Sequence, residues 1–161
     1  MLGRVRCDMD EMIPVPASQT EMVMRRIAMP GMMNPNGIMF GGVLLSFYDE
    51  FSGIVGYGFA KRWVTTASVE NVTFSRPIHA GETVVIHGRV IYTGRTSFVV
   101  RLDTEVECAG VLLGSAGSAL FNYVAIDENG CPTQIPQLLL ETEDDKRLWA
   151  EAEMARKARG G

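Results

Sequence analysis

Hydrophobic and polar positions change period along the chain, and the changes mark its elements. Thr20 to Met29, TEMVMRRIAM, mixes apolar and charged residues as a first strand would, and Pro30-Gly31 close it. NPNG (Asn34 to Gly37) is a turn or loop. After Gly41-Gly42 the period becomes helical, with Val43, Leu44, Phe47, Phe51, Ile54, Val55 and Phe59 on one face. From Val64 it becomes two. Val64 to Phe74 predicts a strand closed by Arg76-Pro77 and the turn His79-Ala80-Gly81. Thr83 to Tyr92 predicts another, with Val84, Ile86, Gly88, Val90 and Tyr92 on one face. Past Gly94, the residues Phe98, Val100, Leu102, Thr104, Val106 and Cys108 alternate with Val99, Arg101, Asp103, Glu105 and Glu107, a strand with one wet face. Gly114 to Ile126 is a last long strand, ending at Asp127-Glu128-Asn129-Gly130.

The order is strand, long helix, then strands joined by short turns. It predicts an α+β architecture, with a meandering antiparallel sheet packed on the helix. Residues 1–18 read as an irregular arm broken by Pro14 and Pro16. From Thr142 a Thr N-cap, an acidic first turn and a basic end followed by Gly160 predict a charged, solvated C-terminal helix over 142–161. The span 1–161 reads as a single domain.

The long helix carries a second stripe: Gly42, Ser46, Asp49, Gly53, Gly56 and Ala60, with Asp49 its only charge. Small residues in line allow close approach, either by a neighbouring backbone or by a slender ligand. The carboxylates Asp49 and Glu50 interrupt the most apolar stretch of the chain. A buried charge without partners is costly, so such a placement is solvated, paired or functional.

Composition narrows the classes. A net charge of −4 leaves no basic footprint for nucleic acid. Cys7, Cys108 and Cys131 show no CxxC spacing and read as free thiols in a reducing compartment, which suggests the cytoplasm. The opening MLGRVRCDMDEM lacks an apolar core, so no signal peptide is expected. Ile38 to Ala60 is long enough to span a bilayer, but Asp49 and Glu50 would sit near its midplane, so no membrane span is expected.

Most catalytic templates are missing: there is no GxSxG elbow, P-loop or dinucleotide-binding glycine pattern. His79 and His87 have no partner at metal-ligand spacing and read as surface histidines, so neither a metal nor a cofactor is expected. What remains is Asn34, Gly41, Gly42 and Asp49. N–H groups opening a helix can polarise a carbonyl. Asn34 can orient a water or a substrate, or simply shape a turn. Asp49 can serve as a general base or a nucleophile.

NPNGIMFGGVLLSFYDE resembles the active-site segment of the hot-dog fold acyl-CoA thioesterases, whose pattern is Asn, then Asn-Gly, then Phe-Gly-Gly, then a helix carrying Asp. The similarity continues through VTTASVENVTFSRPIHAGETV, GRTS (Gly94 to Ser97) and FNYVAIDENGCPTQIP, covering roughly residues 20–137. The resemblance implies an antiparallel sheet wrapped around one long helix, and hydrolysis of an acyl-CoA thioester to free acid and coenzyme A. It implies Asp49 as the catalytic carboxylate, Asn34 as the positioning amide, and Gly41 and Gly42 as the carbonyl-polarising turn. The coenzyme belongs to the substrate. Its polyanionic end suggests contacts from Arg76, Arg95, Thr96 and Ser97. The family's sites imply a homo-oligomer, a dimer or an assembly of dimers, with each site shared between subunits. Gly81-Glu82 replaces the family's Gly-Asp. The same fold hosts dehydratases, which need an active-site His that has no place here, and non-catalytic acyl-CoA-binding proteins.

Overall fold

The computed structural model describes residues 12–158. Elements follow in the order β1 (Val15–Pro16), β2 (Met22–Ile27), α1 (Gly41–Ala60), β3 (Trp63–Phe74), β4 (Thr83–Thr93), β5 (Ser97–Cys108), β6 (Val111–Ile126), β7 (Leu138–Leu139) and α2 (Glu143–Ala158). Short 3-10 turns cover Ala17–Thr20 and Pro30–Met32. Residues 1–11 of the expected arm and the last three residues of the expected C-terminal helix lie outside the described residues. Within the rest of the arm, Pro16 stands in a two-residue strand that pairs in parallel with β7. A Pro is tolerated there because the strand is short and at an edge.

The main sheet runs β2-β4-β5-β6-β3, and every pairing is antiparallel. This corrects the simple meander. Only β4, β5 and β6 follow one another, through tight turns such as Ala109-Gly110, both at positive φ. β3 lies on the far edge against β6. The chain returns to β4 along residues 75–82, which bridge the end of the sheet. Ser75 donates its N–H to Ala116, Met39 donates to the Ile78 carbonyl, and Gly81 donates to Ala28. That run is too long and too Pro-constrained for a hairpin turn.

α1 fills the concavity of the sheet. Leu44, Phe47, Tyr48, Phe51, Val55 and Phe59 are buried on it, facing Val84, Ile86, Val90, Phe98, Val100, Leu102, Val106 and Phe121. The helix ends at Lys61, whose positive φ turns its N–H onto the Tyr57 carbonyl 2.9 Å away. Tyr48 is fully buried and accepts a 2.7 Å bond from Thr104. Burial pushes its phenol up, with the Thr104 bond acting against the rise.

Two expected details differ. Tyr92 does not continue the face of Val84 and Val90, because a bulge between Val90 and Tyr92 shifts the register. Tyr92 instead packs on Trp149 of α2, with ring centroids 5.1 Å apart. Nor is α2 wholly solvated: Leu148 and Ala152 bury against Ile91 and Val99 on the convex side. Asp145 fixes its start. Its carboxylate accepts from the Thr142 N–H at 2.8 Å while its own N–H donates to Thr142 Oγ1 at 3.1 Å, a reciprocal cap. Burial raises the Asp145 carboxyl, but these bonds and Arg89 outweigh it and hold the group below the ordinary range.

A side chain would be crowded at two glycines of the sheet. A Cβ on Gly88 would stand 2.9 Å from Leu102 Cδ2 and 3.0 Å from Phe51 Cε1, where α1 presses closest. A Cβ on Gly117 would strike the carbonyl oxygen of Thr73 on β3. Side-chain ends yield more easily than backbone. Gly117→Ala is therefore expected to cost about 1–3 kcal/mol, and Gly88→Ala less, since lost unfolded-state entropy offsets part of its crowding. Denaturant midpoints check the ranking, and equal stability of Gly117→Ala and wild type would contradict it.

Candidate active site

The site begins at the loop before α1. Asn34 builds that loop: its Oδ1 accepts from the N–H of Asn36 at 2.9 Å and of Ile38 at 3.4 Å, and its N–H donates to the Ile38 carbonyl at 2.8 Å. The turn-shaping role expected of Asn34 is the one these bonds display. The side-chain oxygen shapes the turn, and the Nδ2 amide is the donor left to face a ligand.

Phe40 is the N-cap of α1 and offers no side-chain acceptor. The N–H groups of Val43 and Leu44 turn back to the Phe40 carbonyl, at 2.9 Å and 3.3 Å. Those of Gly41 and Gly42 precede them, where helix geometry provides no internal acceptor. Gly42 is exposed, and the Phe74 ring lies 3.5 Å from where a Gly41 Cβ would be. An incoming carbonyl oxygen can reach this helix end, whose partial positive charge favours it.

Two turns further on, the two carboxylates separate. Glu50 Oε2 pairs with Arg26 Nη1 at 3.5 Å, and the Arg26 guanidinium lies over the Phe47 ring. Asp49 faces the other way, exposed, with its Oδ1 3.5 Å from the Thr66 hydroxyl of β3. The structure thus gives the two neighbours different partners, as their 100° offset on a helix requires.

The small-residue stripe divides into a buried half, packed by a side-chain ring and not by backbone, and an exposed half. Gly56 and Ala60 are buried, and a Cβ on Gly56 would stand 3.0 Å from the Phe98 ring, so the lower half admits the sheet. Gly42, Ser46 and Asp49 remain open. A cavity of about 260 Å³ lies on the opposite face of the sheet, between α2 and β6.

β3 borders this open face as an unpaired edge of twelve residues, with Trp63, Val69 and Phe74 exposed at 67%, 39% and 54%. Long apolar edges template pairing with another chain.

The expected coenzyme contacts do not converge within one chain. Ser97 pairs through β6 with the Thr65 end of β3, whereas Arg76 follows the Phe74 end. Nine residues of strand put these ends about 30 Å apart. Arg76 is also engaged, donating to the Leu113 carbonyl at 3.2 Å and lying near Glu82. Arg95 is exposed in the β4–β5 turn beside Thr96. The Ser97 hydroxyl accepts from Arg156 of α2 at 3.0 Å, which occupies it structurally. His79 and His87 face Glu82 and Glu105 on the surface. Among the described residues, no group of three His, Cys, Asp or Glu could hold a metal ion, and no helix is long and apolar enough to cross a membrane.

Sequence reasoning missed Thr66 and Tyr123. Thr66 stands in the doublet Thr65-Thr66, where strand alternation alone could not say which hydroxyl faces the helix. Tyr123 lies 74 residues beyond Asp49, and only the β3–β6 pairing of Thr66 with Tyr123 brings it near.

Residues 36–107 match the pattern of the thioesterase superfamily. An acyl-CoA thioester hydrolase, YciA of Salmonella typhimurium, is 38% identical over 122 residues, 73% of this chain and 92% of the relative. A crystal structure of an apo-hexameric acyl-CoA thioesterase superposes with a TM-score of 0.86 at 29% identity, covering 92% of this chain and 96% of that one. An acyl-CoA hydrolase from Staphylococcus aureus, in complex with butyryl coenzyme A and coenzyme A, gives a TM-score of 0.82 at 27% identity, over 90% of this chain and 91% of that one. Alanine variants of that hydrolase fall at an asparagine, an aspartate and a threonine separated by 15 and 17 residues. Asn34, Asp49 and Thr66 have the same separations. By sequence, fold and extent of match, the chain belongs to the thioesterase superfamily, among its acyl-CoA thioester hydrolases.

Proposed function

We propose that Asp49 drives the hydrolysis of an acyl-CoA thioester to carboxylic acid and coenzyme A as general base on water, with the Gly41-Gly42 helix end polarising the carbonyl and Asn34 positioning water or substrate. One observation carries this. α1 presents its donor end and Asp49 on a single open face, while Arg26 draws Glu50 away. The water oxygen attacks the carbonyl carbon as Asp49 takes its proton. The helix N–H groups hold the developing oxyanion. The C–S bond breaks, and the proton passes to the departing sulfur. The reaction needs no cofactor beyond the coenzyme of its substrate. It belongs in the cytoplasm, in keeping with the free, exposed Cys108 and Cys131.

Asp49→Asn keeps size and loses the base. It is expected to lower kcat by roughly 10²–10⁴, while Glu50→Gln retains it. Thiol release from a panel of acyl-CoAs is the assay. An active Asp49→Asn enzyme with an inactive Glu50→Gln would assign the chemistry to the other carboxylate. No release from any acyl-CoA by folded protein would favour a non-catalytic binder.

A complete site needs a second copy of the chain. Gly42 and Asp49 are separated by about 10 Å along α1, whereas a carbonyl must lie roughly 3 Å from both donor and attacker. Pairing of two β3 edges lays two α1 helices side by side, so the donor end of one can face Asp49 of the other. The hexameric relative supports such an assembly. Co-expression of Asn34→Ala with Asp49→Ala checks it. If sites are shared, half of the randomly formed dimers are mixed and each has one intact site, restoring about a quarter of wild-type activity. No recovery, with mixed dimers demonstrated, would place each site within one chain.

The same antiparallel pairing sets the Arg95 end of one β3 beside the Arg76 end of another, allowing both to hold one coenzyme A. Each Arg→Ala change is expected to raise KM with little change in kcat, and added salt to do likewise. Arg76→Ala should also lower the melting temperature, because it drops the bond to Leu113. A KM unmoved in both variants would remove both arginines from the site.

A further inference from the structure

The hydrolysis outlined above leaves a set of hydroxyls beneath Asp49 unused. Ser52, three residues after Asp49, is fully buried and places its Oγ 2.7 Å from the Tyr123 hydroxyl and 3.2 Å from the Asp49 carbonyl oxygen. Tyr123 is the cross-strand partner of Thr66 in the β3–β6 pairing, so their side chains stand together on one face of the sheet. Thr66 Oγ1 in turn lies 3.5 Å from Asp49 Oδ1. The four residues close a ring that leaves the Asp49 carboxylate and returns to the carbonyl of the same residue.

Tyr123 is its fixed point. Only 3% of the residue is exposed. Its ring stacks on Phe98 at 5.4 Å and near Phe121 at 6.3 Å, which pins the hydroxyl from the core side. Gly53 leaves room above it, since a Cβ there would still be 3.8 Å from the hydroxyl. Burial pushes the phenol up, against the bonds from Ser52 and Thr66 and with a contribution from the Asp49 charge. The group therefore keeps a proton to direct.

We infer that Tyr123 is a positioning residue for the hydrolysis, holding Thr66 against Asp49 through a hydroxyl chain that can run in either direction. This rests on Asp49 being the group that takes the proton from water. Each of the three hydroxyls has one proton and can also accept. While Asp49 is ionised, Ser52 donates to Tyr123, Tyr123 to Thr66 and Thr66 to the carboxylate. Once a proton rests on Oδ1, Asp49 donates to Thr66 and every hydroxyl turns. Thr66 then donates to Tyr123, Tyr123 to Ser52, and Ser52 to the Asp49 carbonyl oxygen. Each proton stays on its oxygen and each hydroxyl keeps a partner. A lysine or a backbone N–H beside Asp49 could only donate, and would oppose the protonated state that the reaction passes through. A hydroxyl chain serves both states, and its members polarise one another.

Tyr123→Phe removes one hydroxyl and retains the stacked ring. Its kcat is expected to fall about 10-fold with KM and melting temperature near wild type, because orientation rather than binding is lost. Thr66→Val should fall comparably and Thr66→Ser recover most of the loss. The double variant Tyr123→Phe/Thr66→Val should be no slower than Thr66→Val alone, since both cut one chain. An unchanged kcat in Tyr123→Phe, or losses that multiply in the double variant, would overturn the inference. Asp49→Asn in the same assay separates the two levels. If it is inactive while Tyr123→Phe is fully active, only the hydroxyl chain fails. If Asp49→Asn retains kcat, the role of Asp49 fails and the chain with it.

Discussion

The rotational setting of α1 against the sheet governs the rest of the molecule. Each helical residue advances about 100°, so turning the helix by one residue would exchange Asp49 and Glu50. Two close approaches prevent that turn. Gly56 lets the Phe98 ring come within 3.0 Å of its missing Cβ, and Gly88 admits Phe51 and Val55 of the helix. Nearer the start of the helix, Tyr48 reaches through the core to Thr104. With the phase fixed at both layers, Asp49 must emerge beside Thr66 and Glu50 beside Arg26. Packing that contains no reactive group thus decides which carboxylate is available.

β3 links this setting to assembly. It closes one side of the sheet, supplies Thr66 from one end and leaves an edge with Trp63, Val69 and Phe74 exposed. β2, the other edge strand, is only six residues long and carries Arg25 and Arg26, both ion-paired, so charge and brevity blunt it. The contrast between the edges is physical rather than incidental. A strand that is to meet a copy of itself cannot be shielded by lysines, prolines or a covering helix. Association through β3 would bury its apolar residues and bring the helix faces together in one event, so stability and the completion of the site have one origin.

Much of this was legible in the sequence, because periodicity is a local property. The switch from helical to strand period placed α1 and the four long strands, and the alternation in β5 placed Phe98, Val100, Leu102, Thr104 and Val106 inside. Three things were not local. The pairing of β3 with β6 depends on residues 75–82 crossing the sheet end, and no turn signal encodes their direction. The bulge after Val90 adds one residue to the strand, which moves Tyr92 onto α2 without altering the composition of the run. The docking of α2 rests on only Leu148 and Ala152 within a charged segment, too few to stand out from a solvated face. The candidate and proposed site residues divide along the same line. Asn34, Gly41, Gly42 and Asp49 sit close together in sequence and were visible, whereas Thr66 and Tyr123 reach Asp49 only through strand register.

The question raised by a carboxylate within an apolar helix changes once its surroundings are known. In the single chain Asp49 is solvated, so its placement costs little. On the proposed mechanism the cost arises when a second copy and a substrate cover that face, because desolvation would then disfavour the charged form at the moment it is to act. A rigid cation would remove the cost by locking the carboxylate as an anion and weakening it as a base. Glu50 has such a partner in Arg26, and it is the carboxylate that the proposed chemistry leaves aside. Asp49 instead faces neutral hydroxyls anchored by Tyr123 in the aromatic core. Neutral donors compensate part of the desolvation without committing the group to one protonation state. The core that fixes the helix phase thereby also furnishes the one kind of partner that a covered, proton-exchanging carboxylate can keep through both of its states.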